Sequence, residues 1–315
     1  MANFEIIKCH GSGNDFILID TTLIDPKADI SWSDFARIAC NRNTGIGSDG
    51  VLLLVRNAEG LYGMDMLNPD GTHAEMCGNG IRCVARLAHE RGYLDAKILT
   101  SGGRLYPVER ATEIAPGIET FSVDIPISLQ SSSFGFTQNG EKFIGKTIEN
   151  LNPELQFTAL NLGNPHIVAR TEEIDLSLLK ELGERVLTLK EEFPDGINLS
   201  LYKVLSESSI FVATYERGAG ITLSCGTAMT ASATAATLLK DICPNRLIEV
   251  RNRGGKVNCA TTINDGAITT RLEGNATFEW WGEANFDNSG VLSYNVTNST
   301  EEGELWQRFV ATLNK

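Results

Sequence analysis

Two cysteines that lie 148 residues apart each stand between turn-forming residues and a run that reads as a helix. After Cys77, apolar residues recur over 81–88 with the i, i+3, i+4, i+7 spacing of one helix face, and Gly92 supplies a stop. After Cys225 the run consists mainly of alanine, serine and threonine. Backbone N–H groups at a helix N-terminus favour an anion and lower the pKa of a thiol. Both cysteines are therefore predicted to be reactive groups at helix starts.

The cysteine segments belong to a longer internal repeat, in which short matches occur in the same order in both halves of the 315-residue chain. The matches are Gly13-Asn14 with Gly163-Asn164, Asp49-Gly50 with Asp195-Gly196, and Cys77-Gly78 with Cys225-Gly226, at separations of 150, 146 and 148 residues. Three matches at nearly one separation indicate a duplicated domain.

The repeat and the composition along the chain predict the domain boundaries. The N-terminal half is expected at 1–130, completed by strands from about 276–298, and the C-terminal half at 131–275, after a serine-rich segment. Residues 299–315 depart from the repeat and read as an amphipathic helix, with Ser299 and Glu302 as a capping box. We expect this helix to dock on its own domain, with binding of a partner as the alternative.

The composition is that of a globular protein with a core, since 42% of the residues are hydrophobic and 21% are charged. The net charge of −13 argues against nucleic acid or an anionic membrane as partner, because both need a basic surface. No run approaches 18 apolar residues, so no membrane span is expected. Seven cysteines without regular spacing indicate reduced thiols and a cytoplasmic location. The sequence contains neither a C-x-x-C nor an H-E-x-x-H motif, so no metal site is predicted.

The paired cysteines suggest a specific chemistry. If a pseudo-two-fold axis relates the halves, the two helix starts face each other across a cleft. One sulfur, as thiolate, can remove a proton from one face of a carbon acid while the other, as thiol, delivers a proton to the opposite face. The helix N–H groups would hold the substrate carboxylate. The pattern therefore indicates stereoinversion. The remaining cysteines are expected to be packing residues, with Cys83 pointing away from the site: Cys9, Cys40, Cys243 and Cys259.

Four motifs recur along the chain: His10-Gly11-Ser12-Gly13-Asn14; Asn68-x-Asp70-Gly71-x5-Cys77-Gly78-Asn79-Gly80-x-Arg82-Cys83; Gly163-Asn164-Pro165-His166; and Tyr215-Glu216-Arg217-Gly218-x-Gly220 followed by Cys225-Gly226-Thr227. Together they resemble the motifs of the diaminopimelate epimerase family, and the resemblance covers roughly residues 4–286. The resemblance implies an α+β fold of two pseudo-symmetric domains, each a β-barrel-like sheet around a central helix, with the active site in the inter-domain cleft. It also implies a homodimer and a reaction without pyridoxal phosphate, metal or nucleotide, so no cofactor is expected.

Transferred position by position, the resemblance makes Cys77 and Cys225 the catalytic acid/base pair, usually written as donor and acceptor respectively. His166 and Glu216 match residues thought to tune the two thiols, with a plain turn residue as the alternative for His166. A fork of arginine and amide donors suits a carboxylate. The residues expected to bind substrate are Asn14, Asn68, Gly78, Asn79, Asn164, Asn198, Glu216, Arg217, Gly226 and Thr227.

Two positions near Cys225 depart from the family pattern. Ile221 stands where the family usually has glutamate, and Ala228 where it usually has glycine. Both are expected to affect which amino acid fits rather than the reaction. The predicted activity is epimerisation of LL- to meso-diaminopimelate, in lysine and peptidoglycan precursor synthesis. The alternatives are a racemase for another amino acid such as histidine, a non-catalytic binding protein on this fold, and a thiol redox protein, which would normally carry C-x-x-C.

Overall fold

The computed structural model describes residues 2–74, 76–93, 97–137, 141–287 and 289–313. The helices in these ranges are α1 (Trp32–Ala39), α2 (Gly78–Glu90), α3 (Leu176–Thr188), α4 (Gly226–Leu238) and α5 (Glu302–Leu313). The strands are β1 (Ala2–Gly11), β2 (Asn14–Asp20), β3 (Val51–Arg56), β4 (Tyr62–Leu67), β5 (His73–Ala74), β6 (Lys97–Thr100), β7 (Leu105–Arg110), β8 (Thr120–Ile125), β9 (Lys146–Ile148), β10 (Asn152–Asn161), β11 (Pro165–Arg170), β12 (Asn198–Ser206), β13 (Ser209–Glu216), β14 (Gly220–Ile221), β15 (Leu247–Asn252), β16 (Gly255–Asn264), β17 (Ala267–Asn275), β18 (Thr277–Phe286) and β19 (Leu292–Ser299). None of these helices is both long and apolar enough to span a membrane.

The chain divides into two compact units. Unit 1 combines Met1–Val123 with Glu273–Lys315, and unit 2 is Asp124–Leu272. Unit 1 is therefore discontinuous in sequence: its first strand, β1, pairs with β18 from the far end of the chain.

The two units repeat one strand topology. In unit 1, β1 pairs antiparallel with β2, β2 parallel with β3, and β3 antiparallel with β4, which then pairs with β5. After α2, β6 lies parallel to β4 and β7 antiparallel to β6. In unit 2, β10 to β16 repeat each of these pairings, with α3 and α4 in the places of α1 and α2. The predicted duplication is confirmed.

The strand registers show which residues correspond in the two units. Leu18 pairs with Leu52 in unit 1, as Val168 pairs with Ser200 in unit 2. Leu67 pairs with His73, as Tyr215 pairs with Ile221. Residues from β3 onward therefore correspond at a separation of 148, which makes Cys77 and Cys225 equivalent, whereas Asn14 and Asn164 correspond at 150.

One of the predicted matches is wrong. At a separation of 148, Gly50 corresponds to Asn198 rather than to Gly196. The two glycines also serve different purposes. Gly196 adopts a left-handed φ of 68°. At Gly50 an added Cβ would lie 2.8 Å from the carbonyl oxygen of Leu67, so the residue allows close strand approach.

Each unit is built around a central helix. All residues over 226–237 of α4 and over 78–88 of α2 are buried. Six strands of unit 2 (β10, β11, β12, β13, β15 and β16) pack against α4. The hydroxyl groups along α4 donate to carbonyl oxygens four residues earlier, which satisfies these polar groups inside the core. The prediction of a sheet wrapped around a central helix is confirmed.

The C-terminal helix α5 packs on unit 1, where Trp306 is buried with Ile114 and Ile118. The predicted capping box is wrong, because Ser299 ends β19 and the Oγ1 of Thr300 accepts the N–H of Glu302. The Glu302 carboxylate instead binds Arg86 of α2.

Candidate active site

Cys77 is the residue that precedes α2. Its backbone is extended, and its Sγ accepts the N–H of Gly80 at 3.3 Å. The side chain is half-buried. The sulfur therefore lies beside the first turn of a buried helix, where N–H groups lack intrahelical partners. This is the position that the sequence predicts.

Asn14 approaches Cys77 from the turn between β1 and β2. Its Oδ1 lies 3.9 Å from the sulfur and accepts the Nδ2 of Asn79 at 3.3 Å. Its Nδ2 donates to Asp49 Oδ2 at 2.7 Å. Gly13 permits this tight turn by adopting a φ of 79°. Asn14, Asn79 and Cys77 therefore form one cluster in unit 1.

Asn14 is held by a network of charged residues that the sequence analysis did not predict. Arg42 bridges Asp15 and Asp49 at 2.6 and 2.7 Å, and Lys8 donates to Asp15. Burial disfavours the ionised carboxyl of Asp15, but the hydrogen bonds from Arg42 and Lys8 prevail and lower its pKa to about 2. No local pattern links Arg42 to Asn14, because the link depends on the pairing of β2 with β3.

Cys225 occupies the equivalent position before α4 and is also half-buried. Its Sγ lies 3.5 Å from the hydroxyl of Thr227. Asn164 donates from its Nδ2 to the same hydroxyl at 3.3 Å. In both units an asparagine from the first hairpin thus contacts the second residue after the cysteine, which is Asn79 in unit 1 and Thr227 in unit 2.

The surroundings of Cys225 favour the thiol over the thiolate. Burial raises the pKa of Cys225 well above its ordinary value, and the carboxylate of Glu216 raises it further, whereas the hydroxyl of Thr227 opposes the shift. Glu216 is itself held by the hydroxyl of Thr222. Cys225 is therefore protonated at neutral pH, and the lowering of its pKa expected at a helix start is outweighed by burial and by Glu216.

His166 lies in β11 and is fully buried, so it is not the plain turn residue of the alternative interpretation. Burial lowers its pKa to about 3, so the imidazole is neutral. Its Nε2 donates to Asn164 Oδ1 at 2.9 Å, the tautomer being set by this carbonyl acceptor. Its Nδ1 has no hydrogen-bond partner among the residues described. His166 thereby orients Asn164 beside Thr227.

The other predicted ligands form separate small groups. Asn198 pairs with His166 across β11 and β12, and its Oδ1 accepts the backbone N–H of Arg217 at 2.9 Å. The Arg217 guanidinium donates to the carbonyl of Asp195. Asn68 follows β4 in unit 1, in the position that Glu216 occupies in unit 2, and donates to Thr72 at 3.0 Å.

Packing within unit 2 accounts for the two departures from the family pattern. Ile221 packs against the hydrophobic core cluster that includes Leu182 and Phe193. Ala228 is fully buried in the first turn of α4. Its counterpart in unit 1 is Gly80, where an added Cβ would lie 2.7 Å from Leu52 Cδ2. The residue that corresponds to Leu52 in unit 2 is Ser200, which is smaller.

The remaining cysteines differ from the prediction at one position. Cys9, Cys40, Cys83 and Cys259 are buried, but Cys243 is exposed, so its assignment as a packing residue is wrong. No group of three or more metal-ligating side chains occurs within the described ranges of the chain. The imidazole of His73 pairs with the carboxylate of Asp65 at 2.9 Å.

Solved structures of other proteins share this fold. A phenazine biosynthesis protein of the PhzF family from Bacillus anthracis matches with a TM-score of 0.64 and 15% identity, covering 91% of this chain and 100% of that chain. A hydroxyproline epimerase from Agrobacterium vitis matches with a TM-score of 0.61 and 15% identity, covering 92% of this chain and 96% of the other. At this identity the likeness establishes the fold alone, an α+β architecture in which two units repeat one strand topology.

Relatives with similar sequences identify the family of this chain. The family model described as diaminopimelate epimerase matches residues 6–113 and 158–279. The diaminopimelate epimerase of Clostridium acetobutylicum is 36% identical over 307 residues, covering 96% of this chain and 92% of that protein. That of Ligilactobacillus salivarius is 36% identical over 328 residues, covering 99% and 100%. The chain belongs to the diaminopimelate epimerase family.

Proposed function

We propose that this protein is an isomerase that interconverts LL- and meso-diaminopimelate, with Cys77 and Cys225 as the acid/base pair. One observation carries the proposal. In a chain of this family, the two cysteines occupy the same position before equivalent central helices, and in each unit an asparagine from the equivalent hairpin is hydrogen-bonded to the second residue of the helix. A redox pair or a binding protein would not require this repeated arrangement.

The raised pKa of Cys225 suits its sulfur to deliver a proton to the substrate carbon in one direction of the reaction, while Cys77, as thiolate, removes a proton from the opposite face. One turnover exchanges the two roles, because the sulfur that gains a proton becomes the next donor. Cys77 then acts as donor, as in the usual family assignment, and the contact of its sulfur with the amide oxygen of Asn14 is one that a protonated thiol makes.

Helix starts provide the means of stabilising the charge that develops on the substrate carboxylate. The backbone N–H groups of Gly78, Asn79, Gly226 and Thr227 lie in the first turns of α2 and α4. Such N–H groups are favourable ligands for an anion and would bind more strongly as charge moves onto the carboxylate.

We assign the distal amino-acid end of the substrate to Asn68, Asn198 and Arg217. The guanidinium of Arg217 offers a planar fork of donors that suits a carboxylate. Ala228 is fully buried in the first turn of α4, so we assign it no contact with the substrate. Ile221 is partly buried and lines a pocket with Cys225, so it is the departure that bears on which amino acid fits.

Proton exchange tests the proposal. We expect the purified protein in D₂O to exchange the α-proton of diaminopimelate with inversion, measured by NMR and chiral chromatography. Exchange of histidine but not of diaminopimelate would refute the substrate and support a histidine racemase. Cys77→Ala and Cys225→Ala should each abolish inversion while circular dichroism stays that of the parent protein. Full activity in either variant would exclude the two-thiol mechanism.

We further propose a cytoplasmic homodimer acting in lysine and peptidoglycan precursor synthesis. The support is the family membership, together with seven cysteines that are all thiols. Light scattering coupled to gel filtration should give twice the mass of the chain, and a monomer would refute this assembly.

A further inference from the structure

Arg82 lies on α2 one turn beyond Cys77 and is fully buried. Its guanidinium turns back toward the helix start. It donates to the carbonyl of Gly78 at 2.8 Å, to the hydroxyl of Ser12 at 3.2 Å and to Asn79 Oδ1 at 3.1 Å. Its Nε donates to the carbonyl of Asn275 at 3.2 Å. One side chain therefore joins the start of α2, the hairpin that carries Asn14, and the end of β17.

Two glycines make room for this guanidinium. An added Cβ on Gly274 would lie 3.0 Å from Arg82 Cζ, Nε and Nη2. On Gly11 it would lie 2.9 Å from Arg82 Nη2 and 2.8 Å from the carbonyl oxygen of Asn79. The two backbones thus form a cradle that a side chain at either position would fill. Such close fitting fixes the guanidinium in one orientation.

This guanidinium determines which way the Asn79 amide points. Arginine has donors only, so the Asn79 atom that faces it must be the carbonyl oxygen. The Nδ2 of Asn79 is then directed at Asn14 Oδ1, 3.3 Å away. Asn14 presents the same oxygen to Cys77. Arg82 is therefore connected to the sulfur through two amide side chains whose orientations it dictates.

We propose that Arg82 is a positioning residue that holds Asn79 and Asn14 in the geometry needed for proton transfer at Cys77. The inference rests on the proposed function, and it concerns only the Cys77 half of the site. In unit 2 the corresponding residue is Thr230, which donates to the carbonyl of Gly226 at 3.0 Å. Thr230 thus makes the same kind of hydrogen bond to the helix start as Arg82 makes to Gly78, but its side chain is too short to orient an amide side chain.

Arg82→Lys and Arg82→Gln test the geometry and the charge separately. Lysine keeps the charge but cannot supply the planar fork of donors, and glutamine loses the charge as well. We therefore expect both variants to lose about 10²-fold in kcat, the usual effect of misplacing a reacting group by about 1 Å. KM should change much less. Activity of Arg82→Lys equal to that of the parent protein would overturn the proposal.

Arg86 provides a matched control, because it is also a buried arginine of α2. It donates to Glu302 at 2.5 and 2.7 Å and to the carbonyl of Ala276 at 2.6 Å, and none of these bonds reaches the cysteine cluster. Arg86→Gln should lower the melting temperature while kcat, measured well below that temperature, stays near the parent value. An equal loss of kcat in Arg86→Gln would reduce Arg82 to a structural role.

An isotope effect separates positioning from general loss of structure. With substrate deuterated at the reacting carbon, Arg82→Gln should raise the isotope effect on kcat for the stereoisomer whose hydrogen faces Cys77 and not for the other. A similar rise for both stereoisomers would overturn the assignment to one half of the site. If Arg82 variants fail to fold, Gly274→Ala supplies a milder test, since its methyl group displaces the guanidinium; full kcat in this variant would count against the proposal.

Alkylation provides a readout that does not depend on the substrate. If the parent protein fails to epimerise diaminopimelate, the proposed function is refuted, but the role of Arg82 can still be measured. The rate of iodoacetamide labelling at Cys77, followed by peptide mass spectrometry, should change several-fold in Arg82→Gln while labelling at Cys225 does not. Unchanged labelling at Cys77 in a folded Arg82→Gln protein would refute the positioning role.

Discussion

Gly80 and Leu52 offer a quantitative test of the packing around the Cys77 helix. In Gly80→Ala the new Cβ would lie 2.7 Å from Leu52 Cδ2 and 3.4 Å from Cδ1, whereas carbon atoms pack best at about 3.5–4.0 Å. Leu52 is fully buried, so its side chain has little space to move away. The substitution must therefore strain the core of unit 1.

The expected magnitude is the difference between two effects. Overpacking a core costs about 1–3 kcal/mol, and the short distance puts Gly80→Ala in the upper part of that range. Alanine gains up to about 1 kcal/mol over glycine in a helix. We therefore expect Gly80→Ala to lower the free energy of unfolding by about 1–2 kcal/mol, with the overpacking effect dominant.

A double-mutant cycle in urea measures whether Leu52 is the cause. Leu52→Ala alone should cost about 2–5 kcal/mol, because it leaves a cavity. The double variant should be more stable than the sum of the single effects predicts, since the new methyl group occupies part of that cavity, and the interaction energy should exceed about 0.5 kcal/mol. Additive effects, or a Gly80→Ala protein more stable than the parent, would refute the reasoning.

Three further predictions concern charge and the C-terminal helix. The carboxylate of Glu216 raises the pKa of the Cys225 thiol, so Glu216→Gln should lower that pKa and shift alkylation of Cys225 to lower pH. An unchanged pH profile of alkylation, measured by mass spectrometry, would argue against this influence of Glu216 on Cys225. Burial lowers the pKa of His10 to about 4, so the unfolded chain binds a proton first and stability should fall from pH 6.5 to 4. His10→Gln should flatten this dependence in urea titrations, and an equally steep slope would contradict it. Trp306→Ala should cost about 3 kcal/mol in thermal unfolding, and a loss below 1 kcal/mol would mean that α5 contributes little to unit 1.

The helix starts could be predicted because their signals are local. A cysteine before Gly-rich or small-residue helix runs identified α2 and α4, and the three approximate matches were enough to reveal the duplication. The separation of 146 residues for Asp49-Gly50 was misleading, because similar turn residues recur two positions away from the structural correspondence.

Strand β4 escaped prediction because its sequence is adapted to its neighbours rather than to strand propensity. It contains no β-branched residue, and Gly63 is needed where an added Cβ would lie 2.8 Å from the carbonyl of Leu99 on β6. Arg82 belongs to a motif that the sequence analysis recognised, but its positioning role could not be predicted from that motif. The role depends on Gly11 and Gly274, which are brought together only by the pairing of strands distant in sequence.

The discontinuity of unit 1 has a consequence for the order in which the protein forms during synthesis. Unit 2 is one uninterrupted segment and can begin to fold once residue 272 has left the ribosome. The Cys77 cluster cannot mature then, because β1 still lacks β18 and Arg82 still lacks its acceptor on Asn275. The half of the protein that is translated first is therefore completed last, and the start of α2 acquires its remaining partners only after β17 and β18 have been synthesised.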